Sequence, residues 1–148
     1  MKRGFTLIEL VMVLGVMTVV TTGIFIATRA SHNRALYDAL VVLQADLRYI
    51  QRRSMTEGRA HEIVFDRGNN RYVIGIDGVR GEAGRIRTVY LPNGVAFNYV
   101  NAVRVVYTAR GTASPGFTVE VTNGRYRQRL TGQVGTGSIN IDPEPRPQ

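Results

Sequence analysis

Residues 5–27 read FTLIELVMVLGVMTVVTTGIFIA, an apolar run of 23 residues with one charge, Glu9. As a helix rising ~1.5 Å per residue it reaches ~34 Å, enough to cross a hydrocarbon core of about 30 Å. Thr6, Thr18, Thr21 and Thr22 do not veto a span, because a hydroxyl can bond back to a carbonyl one turn earlier. Lys2 and Arg3 precede the run, and Arg29 and Arg34 follow it. Basic residues at both ends orient it only weakly by the positive-inside rule. The very short N-terminal flank favours an N-terminus inside and the long polar remainder outside.

An ordinary secretory signal fits poorly. Its apolar core runs ~7–15 residues and ends at small residues, whereas the one small-residue site here, near Thr28-Arg29-Ala30, contains Arg. Glu9 also costs roughly 2.5–3.5 kcal/mol at mid-membrane depth, which an export signal has no reason to carry. A carboxylate there needs a cationic partner. If the chain were cut between Gly4 and Phe5, a new α-amine would stand four residues before Glu9, on the same helical face. Glu9 could pair with that amine, or with the same amine of a neighbouring copy, and so set the register of identical helices packed side by side.

The helical period continues beyond the apolar run. Leu36, Leu40, Leu43, Leu47 and Ile50 follow 4-3-4-3 spacing, with Ala39 and Val42 widening the stripe. Neither Pro nor Gly interrupts residues 24–57, and Gly58 is a natural stop. One helix from Phe5 to about Met55 is expected, ~75 Å long.

From Glu57 the period becomes two. Glu62–Phe65 and Tyr72–Ile74 flank Asp66-Arg67-Gly68-Asn69-Asn70-Arg71, a hairpin signature. Further strands are expected at Arg87–Leu91, Val95–Tyr99, Val103–Tyr107, Phe117–Val121, Tyr126–Leu130 and Ser138–Ile141, with turns at Pro92-Asn93-Gly94, Gly111 to Gly116, Asn123-Gly124 and Gly132 to Gly137. Antiparallel sheet with one apolar face needs a cover, and the Leu stripe supplies it. The expected fold is α+β: a long N-terminal helix, transmembrane in its first half, packed on antiparallel sheet. The divisions are a leader at 1–4, a transmembrane helix at 5–27, an outer helix half at 28–55, a β-rich domain at 56–142 and a flexible tail at 143–148.

Composition narrows the chemistry. The 148 residues suit one domain of ordinary size, and the absence of Cys removes disulfides, thiol nucleophiles and thiolate metal sites. His61-Glu62-Ile63-Val64-Phe65 begins like the zinc-protease motif but has Phe65 where the second His belongs. None of the four serines sits in a Gly-x-Ser-x-Gly elbow, and Gly132-x-x-Gly135-x-Gly137 lacks the Lys and Ser/Thr of a phosphate loop. The reading is therefore no enzyme, no catalytic residue, no metal and no cofactor. The formal charge of +8, with 18 Arg and one Lys, is compatible with an anionic partner or with a solvated surface.

Lys2-Arg3-Gly4-Phe5-Thr6-Leu7-Ile8-Glu9 resembles the class III leader of type IV pilins and type II secretion pseudopilins. The resemblance implies that a prepilin peptidase cuts Gly4–Phe5 and N-methylates Phe5, and that Glu9 is the assembly glutamate. Many pilins carry a helix-bending Pro near the far membrane end; Ile24-Phe25-Ile26 has none. Leu91-Pro92-Asn93-Gly94-Val95, with Val106-Tyr107, Arg110-Gly111 and Gly116-Phe117-Thr118-Val119, is similar to the minor pseudopilin family that includes GspH and FimT. That likeness implies a long helix on two antiparallel sheets, inner-membrane storage, and other pilins, the peptidase, an assembly platform and lipid as partners. Two roles stay open: a structural subunit of a secretion pseudopilus or type IV pilus, and a DNA-binding minor pilin in natural transformation. For the second, Arg125, Arg127 and Arg129 of GRYRQR would share one strand face and offer three phosphate contacts. DNA-binding relatives carry a similar Gly-Arg-x-Arg nearer the C-terminus, where this chain has Gly135-Thr136-Gly137-Ser138. A solvated edge strand with protective cations is the other reading of the row.

Overall fold

A computed structural model describes residues 7–135, 137–143 and 146–147, and for residues 20–33 the backbone alone. One helix, α1, spans Leu7–Glu57. Gly58, with φ at 63°, takes the left-handed conformation that closes a helix C-terminus, as the sequence leads one to expect. The chain divides into two units, residues 1–34 and 35–148.

In the first unit the large apolar side chains of residues 7–19 all face solvent, from Leu7 at 82% to Val19 at 73% exposure. Among the described residues no helix is long and apolar enough to cross a membrane. The span expected at 5–27 includes residues 5 and 6 and side chains from 20 onward, which lie outside the described residues, as do Gly4 and the leader.

In the second unit the Leu stripe becomes core. Leu36, Leu40, Leu43, Leu47 and Ile50 are wholly buried and Ala39 nearly so. Each such aliphatic contributes roughly 1.5–3 kcal/mol, so truncating Leu43 to Ala, with the cavity it leaves, costs about 2–5 kcal/mol. Val42, expected to widen the stripe, is 45% exposed instead; Asp46, one turn on from Ala39-Leu43, occupies the buried face.

Among the described residues ten strands follow: β1 His61–Asp66, β2 Arg71–Ile76, β3 Arg85–Tyr90, β4 Ala96–Val100, β5 Arg104–Tyr107, β6 Ala113–Ser114, β7 Phe117–Thr122, β8 Tyr126–Gly132, β9 Ile139–Ile141 and β10 Arg146–Pro147. They form two antiparallel sheets. The first has the order β3-β2-β1-β5-β6, the second β10-β8-β7-β4 with β9 also on β8. Alternation sends Ile63, Phe65, Tyr72, Ile74, Val105 and Tyr107 inward from the first sheet, and Phe97, Phe117, Val119, Val121 and Leu130 from the second. The Phe65 ring joins the sheets, lying 6.3 Å from Tyr72, 5.9 Å from Phe97 and 6.4 Å from Phe117.

Polar bonds fix the helix to the sheets as well. Asp46 accepts from the Tyr72 hydroxyl at 2.6 Å and from Arg87 Nη2 at 2.7 Å. Gln44 Nε2 donates to the Ile139 carbonyl at 3.1 Å, and Gln51 Nε2 to that of Gly111 at 2.8 Å. The Pro92-Asn93-Gly94 turn closes with Val95 N–H donating to Pro92 O at 3.0 Å. Two strands were not expected. β6 lies inside the stretch read as turn, and β10 belongs to the tail, where Arg146 and Pro147 pair with Arg127 and Tyr126 of β8.

Candidate functional site

Glu9 stands in the first turn of α1, exposed, between the exposed apolar residues Ile8 and Leu10. The surrounding surface does not suit the charge, since from residue 7 to 19 no other side chain is charged. Thr18 Oγ1 donates to the Leu14 carbonyl at 2.7 Å, so this hydroxyl is satisfied within the helix. Gly4 and Phe5, the cleavage and methylation residues of the leader reading, lie outside the described residues.

The arginine row is arranged differently from its sequence reading. Arg125 precedes β8, in the turn where its N–H and that of Tyr126 are held by Asn123 Oδ1. Arg127 and Arg129 do share the outer face of β8, but both lean toward Glu120 of β7, which is only 5% exposed. Arg129 Nη2 lies 3.2 Å and Arg127 Nη1 4.0 Å from its oxygens, and Asn98 Nδ2 donates to the same carboxylate. The cross-strand register explains the convergence, because Glu120 is directly opposite Arg129 and Thr122 opposite Arg127. A carboxylate this buried needs compensating charge, and the two guanidiniums supply it. Two of the three cations are therefore already shared with an internal anion.

Sequence reading missed one cluster. His61, fully buried, has Nδ1 3.2 Å from Ser54 Oγ and Nε2 3.4 Å from Glu57 Oε2. The residue types are those of a hydrolytic triad, and the geometry is not. Ser54 is wholly buried, and its hydroxyl already donates to the Ile50 carbonyl at 2.9 Å, leaving it to accept from the imidazole. Glu57 is engaged by Arg53 at 2.6 Å and Arg59 at 2.5 Å, which hold its carboxyl below the usual range. The cluster ties the end of α1 to the start of β1. Among the described residues no group of His, Asp or Glu could hold a metal ion.

The chain is similar to known proteins at its N-terminus and in its fold. Residues 1–25 match the prokaryotic N-terminal methylation motif. The fold is similar to that of the Pseudomonas aeruginosa type IV minor pilin FimU (TM-score 0.63, 20% identity, 76% of this chain and 93% of that one). It is also similar to the minor pseudopilin EpsH of the Vibrio cholerae Type 2 Secretion System (TM-score 0.59, 12% identity, 72% of this chain and 95% of that one). No curated protein matches the chain in sequence. The chain thus joins a prepilin-type methylation motif to a pilin-like fold, and the structures it is similar to are pilus and pseudopilus components.

Proposed function

We propose that the chain is a minor pilin or pseudopilin subunit, stored as a single-pass protein of the cytoplasmic membrane and then built into a pilus or secretion pseudopilus. In this reading prepilin peptidase cuts Gly4–Phe5 from the cytoplasmic side and methylates Phe5. Residues 5–27 span the lipid with the C-terminal domain outside, and an assembly platform moves the subunit into the filament. Glu9 then pairs with the Phe5 amine of its own or a neighbouring helix, which holds the register of packed helices. The observation that carries the reading is the coincidence of the methylation motif with a helix whose residues 7–19 expose apolar side chains around one carboxylate. Such a surface is stable only against lipid or other helices. The alternative, DNA capture by Arg125, Arg127 and Arg129, has less support because Glu120 engages two of the three.

Co-expression with a prepilin peptidase followed by intact-mass analysis tests the reading. The expected product begins at Phe5 and is one methyl group heavier than the bare fragment. Retention of Met1 to Gly4, or a cut near Ala30, refutes it.

A further inference from the structure

The outer face of the first sheet carries a groove of about 920 Å³ that the filament reading leaves unused. An outward sheet face is ordinarily polar. Here Val64 of β1 and Val73 of β2 stand directly opposite one another across the hairpin, and Val79 and Val103, both exposed, extend the apolar strip. One wall is the loop between β2 and β3, which lies directly on the sheet at Gly75. A Cβ on Gly75 would stand 3.0 Å from Gly84 O, and one on Gly84 only 2.0 Å from Val79 O. Absence of both side chains lets the loop close down, so the wall is pre-formed rather than shaped by a ligand.

The charges around the strip are unequally answered. Arg104 is paired with Glu62 at 2.5 Å and also with Asp77; Arg85 is paired with Glu82 at 2.7 Å. Arg67 and Arg80 have no carboxylate partner among the described residues, although Arg67 Nη2 donates to the Asn98 carbonyl at 2.8 Å. Arg67 follows the last residue of β1, whereas Arg80 belongs to the loop beyond the other end of the hairpin. The two unanswered cations therefore bracket a trough about 20 Å long, the length of a six-residue strand.

We propose that this groove receives an extended segment of a different protein chain, with aliphatic side chains in its middle and a carboxylate at each end. The chemistry selects that occupant. A nucleic acid presents anions along its whole length and is best met by free cations along the whole groove, whereas the interval here holds valines and the already paired Arg85 and Arg104. A second copy of this chain brings a formal charge of +8 to an already basic face. The proposal does not depend on processing at Gly4 or on filament assembly.

The test uses the full chain in non-ionic detergent. Its probe is a blocked, fluorescent heptapeptide with Glu at both ends, Val at the third and fifth positions and Thr between. Saturable binding is expected, weakened roughly tenfold by the pair Arg67→Gln and Arg80→Gln, about the sum of two exposed ion pairs. The same peptide with Gln ends should bind weakly and lose nothing further on that pair. Val73→Ser should weaken both peptides, and circular dichroism should show each variant folded. Absence of saturable binding at millimolar peptide overturns the proposal. So does an equal loss from Arg48→Gln with Arg52→Gln on the helix, which would show diffuse charge alone. Displacement of the peptide by a twelve-residue oligothymidylate, more dependent on Arg67 and Arg80 than the peptide is, would reassign the groove to nucleic acid.

Discussion

Replacing Asp46 with Ala tests whether the polar clamp under α1 holds the helix to the first sheet. The carboxylate is 5% exposed and accepts from Tyr72, which is 1% exposed, and from Arg87 at the rim. Its loss strands a buried phenol, at about 1–3 kcal/mol. Arg87 is half exposed and can return to water, so its share is under ~1 kcal/mol. A total near 2.5 kcal/mol follows. The unit comprising residues 35–148 should lose about 4 °C of midpoint per kcal/mol, hence roughly 10 °C. Tyr72→Phe should cost a comparable amount, because Asp46 is then left buried with one donor fewer. The double variant should be less than additive, with a coupling of about 1.5–2 kcal/mol. Alkaline pH gives a second readout. Burial, and then the Asp46 carboxylate, raise the Tyr72 pKa well above its ordinary value. A raised folded-state pKa means the contribution is whole below pH ~10 and lost as pH climbs beyond it, and Tyr72→Phe should flatten that loss. The assay is thermal unfolding of the full chain in detergent, followed by far-ultraviolet circular dichroism. Additive single costs, or an alkaline profile unchanged by Tyr72→Phe, would refute the clamp.

Tyr107 offers the opposite sign: its buried hydroxyl has no hydrogen-bond partner among the described residues, and burial pushes its pKa up to about 12. Tyr107→Phe should therefore stabilise by about 1 kcal/mol at neutral pH, seen as a midpoint rise of roughly 4 °C. Glu9→Val should insert in membranes at least as well as the parent yet assemble poorly, since an unpaired Phe5 amine costs about 3 kcal/mol per interface; quantitative blotting of sheared filaments measures it. Changing Arg125, Arg127 and Arg129 to Gln should flatten the salt dependence of DNA binding by less than about one log unit, no more than Arg67, Arg71 and Arg85 changed together. A loss of two to three units confined to the first triple would favour DNA capture.

Much of this architecture is written locally in the chain. The 4-3-4-3 spacing from Leu36 to Ile50 names five residues that are wholly buried, and the Asn/Gly turn after Asp66 places the first hairpin within two residues. What escaped the sequence depends on distant partners. Asp46 lies on the buried stripe by its spacing from Leu43 and Ile50, but nothing local reveals that Tyr72 and Arg87 would meet it. Two-residue strands such as β6 and β10 have no period to detect, because pairing alone defines them. Of the arginine row, Arg127 and Arg129 are legible as one face of β8 while Arg125 falls in the preceding turn, and the neutralisation is not legible, since Glu120 reaches the pair only through cross-strand register. His61 reads in sequence only as the start of an incomplete metal motif, because its contact with Ser54 joins residues on two elements.

The order in which the chain visits its sheets has an evolutionary consequence. β3 belongs to the first sheet, β4 to the second, β5 and β6 to the first again and β7 to the second. Neither sheet is a contiguous stretch of sequence, so neither can be inherited, exchanged or deleted without the other. A crossover between β4 and β6 would split both sheets at once, and one elsewhere among the strands would still split one of them. Viable chimaeras should therefore join at the helix, where the sheets have not begun, and surface variation should accumulate in the turns that link strands within one sheet.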